Sequence, residues 1–219
     1  MHWYQYMALA CMGICIIACF WHFFRLIRLG KPKDLSQKSG NIAKAEIYSY
    51  TTAMLPNKKE SAYLHIPTFT AGMLFHIGTF VSLLLLALFL FVDLDFFREY
   101  LPLAVLLLLL LVGLVVSSLC GFGLLLKRIF SNKLRALSSL DDYLSSFLTI
   151  LFQVFTGFYL VFGDFAAIPY YISASVLLVY LPVGKLRHAV YFFAARYQLG
   201  WFYGWRNSWP PSLKSNNDK

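Results

Sequence analysis

Between Ala71 and Val92 the chain reads AGMLFHIGTFVSLLLLALFLFV, a run in which His76 is the one ionisable side chain. Hydrocarbon offers no water to unpaired backbone groups, so a run of this kind crosses a bilayer only as a helix that satisfies its own backbone. About 18 or more apolar residues are enough to span the roughly 30 Å hydrocarbon core. Five such runs occur, at about 5–27, 69–92, 101–126, 143–163 and 169–193. Composition agrees, with 59% hydrophobic residues against roughly 45–50% in soluble domains. The first run has no basic segment before it and no small-residue cleavage site after it, so it reads as a retained span and not a signal peptide. The expected fold is all-α integral membrane, with five transmembrane helices.

The cations orient the chain. Arg25, Arg28, Lys31, Lys33, Lys38, Lys44, Lys58 and Lys59 lie between the first two runs, and Lys127, Arg128, Lys133 and Arg135 between the third and fourth. Lys185, Arg187, Arg196, Arg206, Lys214 and Lys219 follow at the C-terminal end, which leaves only Arg98 of the 19 Lys and Arg on the other side. The positive-inside rule then places the N-terminus outside and the C-terminus in the cytoplasm. Asp93, Asp95, Glu99 and Asp164 fall in the outer loops. Topology thus accounts for the +9 net charge, and nothing supports a nucleic-acid partner. The expected organisation is a membrane domain over 1–199, with a cytoplasmic loop at about 30–67, and a cytoplasmic tail over 200–219. The loop is too short for a core of its own. Its middle, NIAKAEIYSYTTAML, reads as an amphipathic helix lying on the membrane or on a partner. The aromatic, basic tail YQLGWFYGWRNSWPP suits either a membrane interface or the docking of a cytoplasmic protein.

An ionisable residue inside a span is a functional candidate once its partner is named. His76 lies about eight residues into the second run, about 12 Å deep at 1.5 Å per residue, and His188 stands near the cytoplasmic end of the fifth. Four residues before each is a glycine, Gly72 and Gly184. On a helix each imidazole would overhang a bare patch of backbone. Two such histidines on facing helices could be axial ligands of a haem iron, or could simply hydrogen-bond neighbouring helices. Haem propionates need cationic partners, and Lys185, Arg187, Lys127 and Arg128 are at a suitable depth. His2, His22 and His65 fall at a terminus or near an interface, where water satisfies them. Cys11, Cys15 and Cys19 recur every fourth residue on the first run, with Cys120 on the third. That spacing suits helix packing and not a metal-binding loop.

Three stretches together resemble the membrane cytochrome b (gamma) subunit family of respiratory nitrate reductase: LFHIG, LLLKRIFSNKLRALSSLDDYL and LPVGKLRHAVYFFAARYQL. They extend over about 72–199. The family includes relatives in sulfate-reducer and methanogen redox complexes, among them the small cytochrome b subunit of the high-molecular-weight cytochrome c complex. The resemblance implies a bis-histidine haem b between the second and fifth helices, with His76 and His188 as its iron ligands. It also implies a second, outer pair ten residues after His76 and eighteen before His188, where this chain has Leu86 and Tyr170. A lysine that the family associates with the outer quinol site would fall near Leu106. The chain therefore resembles a one-haem member. The implied role is an electron-transfer subunit in anaerobic respiration, not catalytic alone. It would sit as a multi-pass protein in the inner membrane beside other membrane subunits, the quinone pool (menaquinone) and a cytoplasmic iron–sulfur subunit. The competing expectation is a non-haem membrane anchor for a cytoplasmic oxidoreductase.

Overall fold

The computed structural model describes residues 2–29, 35–55, 58, 63–92 and 103–211, and among them the chain is all-helical, with no strand. The α-helices are α1 (Trp3–Leu29), α2 (Ile42–Tyr50), α3 (Ile66–Phe89), α4 (Leu103–Phe130), α5 (Asn132–Ala136), α6 (Leu140–Phe162), α7 (Ala167–Tyr180) and α8 (His188–Trp205). Asp93, Asp95, Arg98, Glu99, Lys31, Lys33, Lys59, Lys214 and Lys219 lie outside the described residues. Four helical stretches are long and apolar enough to cross a membrane: Trp3–Leu29, Ile66–Phe89, Val105–Phe130 and Leu140–Tyr180. They are compatible with a multi-pass membrane protein.

The last stretch has 41 residues, about twice what one crossing needs, and it turns back on itself. The fourth and fifth apolar runs meet at a 3-10 turn, Gly163–Ala166. Gly163 there adopts φ 59° and ψ −131°, a conformation that side chains with a Cβ resist. α7 then runs back along α6. The Tyr170 ring stacks on Tyr159 at 4.7 Å and on Phe152 at 6.1 Å, and the Tyr180 hydroxyl donates to the Asp141 carbonyl near the start of α6.

The fifth run differs from its expected bounds. Instead of one helix over 169–193, α7 stops at Tyr180 and α8 starts at His188. The cause is the sequence LPVG. Pro182 has no N–H to continue the ladder, and the helix ends although Leu181 before it still has helical dihedrals (φ −53°, ψ −50°). The chain tightens into a turn in which Val183 and Gly184 both donate to the Tyr180 carbonyl, at 3.1 and 2.7 Å.

By contact the chain divides into two compact units, one of residues 1–17 and 66–186, the other of 18–65 and 187–219. The first is organised around Gln153, fully buried on α6. Its amide nitrogen donates to the Phe75 carbonyl at 3.1 Å and to Thr79 Oγ1 at 2.7 Å, both on α3. Its oxygen accepts from Ser117 Oγ at 2.9 Å and Ser118 Oγ at 3.3 Å, both on α4. Gly78 lets Ser117 approach, because a Cβ at position 78 would collide with that hydroxyl. One side chain thus joins three helices, as polar residues do where no hydrophobic force favours helix over lipid. Toward the N-terminus of α1, Tyr4 stacks on Tyr171 at 5.3 Å, and Gln5 Nε2 reaches the Tyr171 hydroxyl at 3.5 Å.

In the second unit α2 packs on α8. This gives the long loop the apolar partner that it lacks locally, and the partner belongs to its own chain. Gly200 and Gly204 form the contact surface: Cβ atoms there would lie 2.7 Å from Glu46 Cα and 2.7 Å from Ala45 Cβ. Ser49 Oγ donates to the Arg196 carbonyl at 2.8 Å, and the Tyr50 hydroxyl donates to the Phe193 carbonyl at 2.6 Å. Asn41 caps α2 by accepting from the Lys44 N–H at 3.1 Å. Trp205 Nε1 donates to the Ser36 carbonyl at 3.0 Å, and Gln198 Nε2 to the Ile27 carbonyl at 3.1 Å.

The turn at Gly163 gives the first test. Gly163→Ala is expected to destabilise the chain by about 1–3 kcal/mol, the range for a residue forced into a sparsely populated backbone region. SDS titration of the protein in mixed micelles measures this. An unchanged midpoint would mean that the α6–α7 reversal does not need this backbone geometry.

Candidate functional site

His76 sits on α3 with an exposed ring, and the residues flanking it on that face (Met73, Ile77 and Phe80) are exposed and apolar. A Cβ at Gly72, one turn earlier, would meet no atom within 4 Å, so the backbone beside the imidazole is open as expected. His188 is also exposed and is the first residue of α8, at the head of a stripe continued by Tyr191, Ala195, Leu199 and Phe202. These recur every three or four residues, on the side of α8 opposite Gly200 and Gly204. Arg187 lies over the Tyr191 ring, its guanidinium carbon 5.7 Å from the centroid. The two histidines thus belong to different units, each on an apolar exposed stripe.

Gly184 corrects the expectation. It precedes α8 in the turn after α7, so Gly184 and His188 do not share a helix. The space in front of its α-carbon is taken by the Tyr180 ring. Its small size admits a tyrosine of its own unit and leaves no relief for a macrocycle.

Two of the cations considered for propionates hold a carboxylate of their own chain. Asp142, buried near the start of α6, pairs with Arg128 at 2.7 Å and with Lys185 at 2.5 Å. The same carboxylate accepts from the Ser139 backbone N–H at 2.9 Å and from Ser139 Oγ at 3.0 Å, closing a capping box on α6. Lys127 Nζ donates to Thr68 Oγ1 at 2.6 Å. Beside this cluster the Tyr180 hydroxyl also donates to the Asp141 carboxylate. Asp142 neutralises two cations at once and ties the ends of α4 and α6 to the turn after α7. The spacing Ser139-x-x-Asp142 announces such a cap. The cations that complete it are separated from it by eleven and forty-three residues and carry no local signal.

The remaining histidines have ordinary surroundings. His22 makes an edge contact with Tyr191 at 6.4 Å, His65 is exposed in a 3-10 turn, and the exposed His2 stacks on Tyr4 at 5.2 Å. Among the described residues no group of three or more His, Cys, Asp or Glu is placed to hold a metal ion. Leu86 and Tyr170 are fully packed inside the first unit, while Leu106 is exposed. Cys15 is buried, and Cys11 lines an open apolar groove with Val176, Val179 and Val183. No family model, curated protein or solved structure matches the chain.

The ion cluster makes a sharp prediction. Removing Asp142 leaves two cations facing each other, whereas removing either cation leaves the carboxylate paired. Losing one member of a fully buried pair costs about 3–5 kcal/mol. Lys185 and Arg128 are partly hydrated and rehydrate readily, so Asp142→Asn is expected to cost about 1–3 kcal/mol. Arg128→Gln or Lys185→Gln alone should cost about 1 kcal/mol or less, and the double variant more than their sum. The same SDS titration reads all four variants. Additive cation effects would show that the cluster does not act as a unit.

Proposed function

We propose that this chain is the membrane cytochrome b subunit of a respiratory redox complex, in which His76 and His188 would hold the iron of one haem b. The observation that carries this reading is the exposed His76 imidazole on an otherwise apolar face of a membrane-crossing helix, beside the open backbone at Gly72. An ionisable ring on a membrane-crossing helix is a functional candidate, and this reading pairs it with His188, at the head of its own apolar stripe. A bound haem contributes a one-electron iron couple. The residues of the chain do the rest. The two imidazoles hold the metal, the apolar stripes exclude water, and Arg187 beside His188 offers the charge for a propionate. Gly184 and Lys185 drop out of the site, since Tyr180 and Asp142 engage them. Leu86 and Tyr170, packed as they are, favour one haem over two.

In this reading α7 counts as the fifth span, the N-terminus is outside, and the basic ends lie in the cytoplasm of a cell with this chain in its inner membrane. Electrons pass between the quinone pool (menaquinone), or another membrane subunit, and a cytoplasmic iron–sulfur subunit. One haem in the inner half does not reach across roughly 30 Å of hydrocarbon, so a neighbouring membrane subunit or a quinone close by completes the path.

One observation favours a second reading. Arg128, Lys185 and Gly184 are occupied by partners within the chain, as they would be in a haem-free membrane anchor for a cytoplasmic oxidoreductase. The spectrum of the purified protein separates the two. A reduced-minus-oxidised b-type signal and a pyridine haemochrome ratio near one per chain are expected. His76→Ala and His188→Ala should each abolish the signal at normal protein abundance. The double variant should look like either single one, because ligands of one metal act together. His22→Ala and His65→Ala should keep the spectrum. Protein without bound haem, or a full low-spin spectrum in His76→Ala, would overturn the reading and leave the anchor.

A further inference from the structure

The corner between α4 and α6 is built for a surface that is apolar below and anionic above. α4 has 28 residues, about 42 Å at 1.5 Å per residue, against a hydrocarbon core of roughly 30 Å. The excess must emerge, and Lys127 and Arg128 in its last turn mark that end as the one that does. Beyond it the chain does not rise into water as a polar loop. Phe130, Leu137 and Leu140 are 77%, 84% and 82% exposed, and Ile129 and Leu134 are exposed with them. Five bulky apolar side chains on a helix end and its following turn would be a liability facing water. They are acceptable at the level where a helix end meets lipid.

Four cations, Lys127, Arg128, Lys133 and Arg135, are interleaved with these apolar residues, and no acid occurs between Lys127 and Leu140. Arg128 is committed to Asp142, and Lys127 to the neutral hydroxyl of Thr68. Among the described residues Lys133 and Arg135 pair with no carboxylate, and the Arg135 guanidinium donates to the side-chain oxygen of Asn132 at 3.1 Å. They stand one turn from the exposed Phe130 and Leu137 on a segment fixed at both ends, by the Ser131 cap of α5 and the capping box of α6. The site is therefore held in place by spanning helices and does not depend on a mobile tail.

We infer that residues 127–140 form a binding site for an anionic phospholipid, whose phosphodiester is met by Lys133 and Arg135 while Phe130, Leu137 and Leu140 enter among its acyl chains. A soluble acidic protein would satisfy the cations, but from the aqueous side it would not reach the five apolar side chains at the depth where a helix end meets lipid. Basic clusters at the cytoplasmic ends of spanning helices recognise lipid headgroups by this combination of charge and position. The inference needs α4 and α6 to cross the bilayer. It does not need a haem, so its failure and that of the proposed function are separable.

The test uses the full chain in neutral detergent micelles doped with phosphatidylglycerol or phosphatidylcholine, with thermal unfolding and native mass spectrometry as readouts. Phosphatidylglycerol should raise the unfolding midpoint in a saturable way and remain bound to the protein in the gas phase; phosphatidylcholine should do neither at the same mole fraction. Lys133→Gln/Arg135→Gln alters only exposed side chains outside the caps. It should weaken the phosphatidylglycerol response by about tenfold or more, at about fivefold per cation near an anionic surface. Raising the salt should mimic that loss. Leu137→Ser should weaken retention with the charges intact. Equal stabilisation by both lipids, an unchanged response in the double variant, or an equal shift produced by inorganic phosphate alone would each overturn the assignment.

Discussion

Hydrocarbon cannot solvate a dipole, and most of what is ordered in this molecule answers that single fact. Gln153 has a primary amide in the interior of three spans, and each of its polar atoms finds a partner: Phe75 and Thr79 on one side, Ser117 and Ser118 on the other. Lipid chains compete evenly with leucine for leucine, so the apolar faces of α3, α4 and α6 do not by themselves choose one another. The amide does choose. Its two donors and its acceptor oxygen are satisfied only in one register of the three helices, which Gly78 and Ser117 complete by close approach.

The same constraint acts at the end of the bundle with charge in place of dipole. A buried carboxylate is tolerable only with compensating cations and hydrogen bonds, and Asp142 has both, from Arg128, Lys185 and Ser139. The arrangement also explains why the chain breaks after Tyr180. Pro182 and Gly184 end α7 so that Lys185 can turn back onto Asp142, and the Tyr180 ring fills the space that Gly184 leaves. A continuous helix through 193 would carry Lys185 onward along its own axis, away from the start of α6.

What could be read from the sequence follows from how far each signal travels along the chain. Apolar runs are local, so the four stretches long and apolar enough to cross a membrane were legible among the described residues, and so was the turn between the fourth and fifth apolar runs. The break at Pro182 was legible in principle, but it was outweighed by the apolar residues on both sides. Gly200 and Gly204 were read as part of an aromatic tail, because the α2 surface that they admit lies some 150 residues earlier. The pairing of Lys185 and Arg128 with Asp142 was not legible, because Asp142 sits on a different helix from either. Of the eight residues first considered for a site, His76 and His188 are exposed, Gly72 has open space before its α-carbon, Arg187 rests on Tyr191, Lys127 meets Thr68, Arg128 and Lys185 pair with Asp142, and Gly184 faces Tyr180.

Polar side chains inside the first unit mostly bond within it, with Thr149, Thr156, Ser173 and Ser175 returning their hydroxyls to carbonyls three or four residues earlier. By contrast, the His76 imidazole lies on an exposed apolar stripe, with the Phe75 ring 6.3 Å from it. Gly72 removes the side chain that would otherwise stand one turn before His76 on that face. With no Cβ there, the backbone at Gly72 is open to close approach by a neighbouring surface, as small residues on membrane helices commonly are.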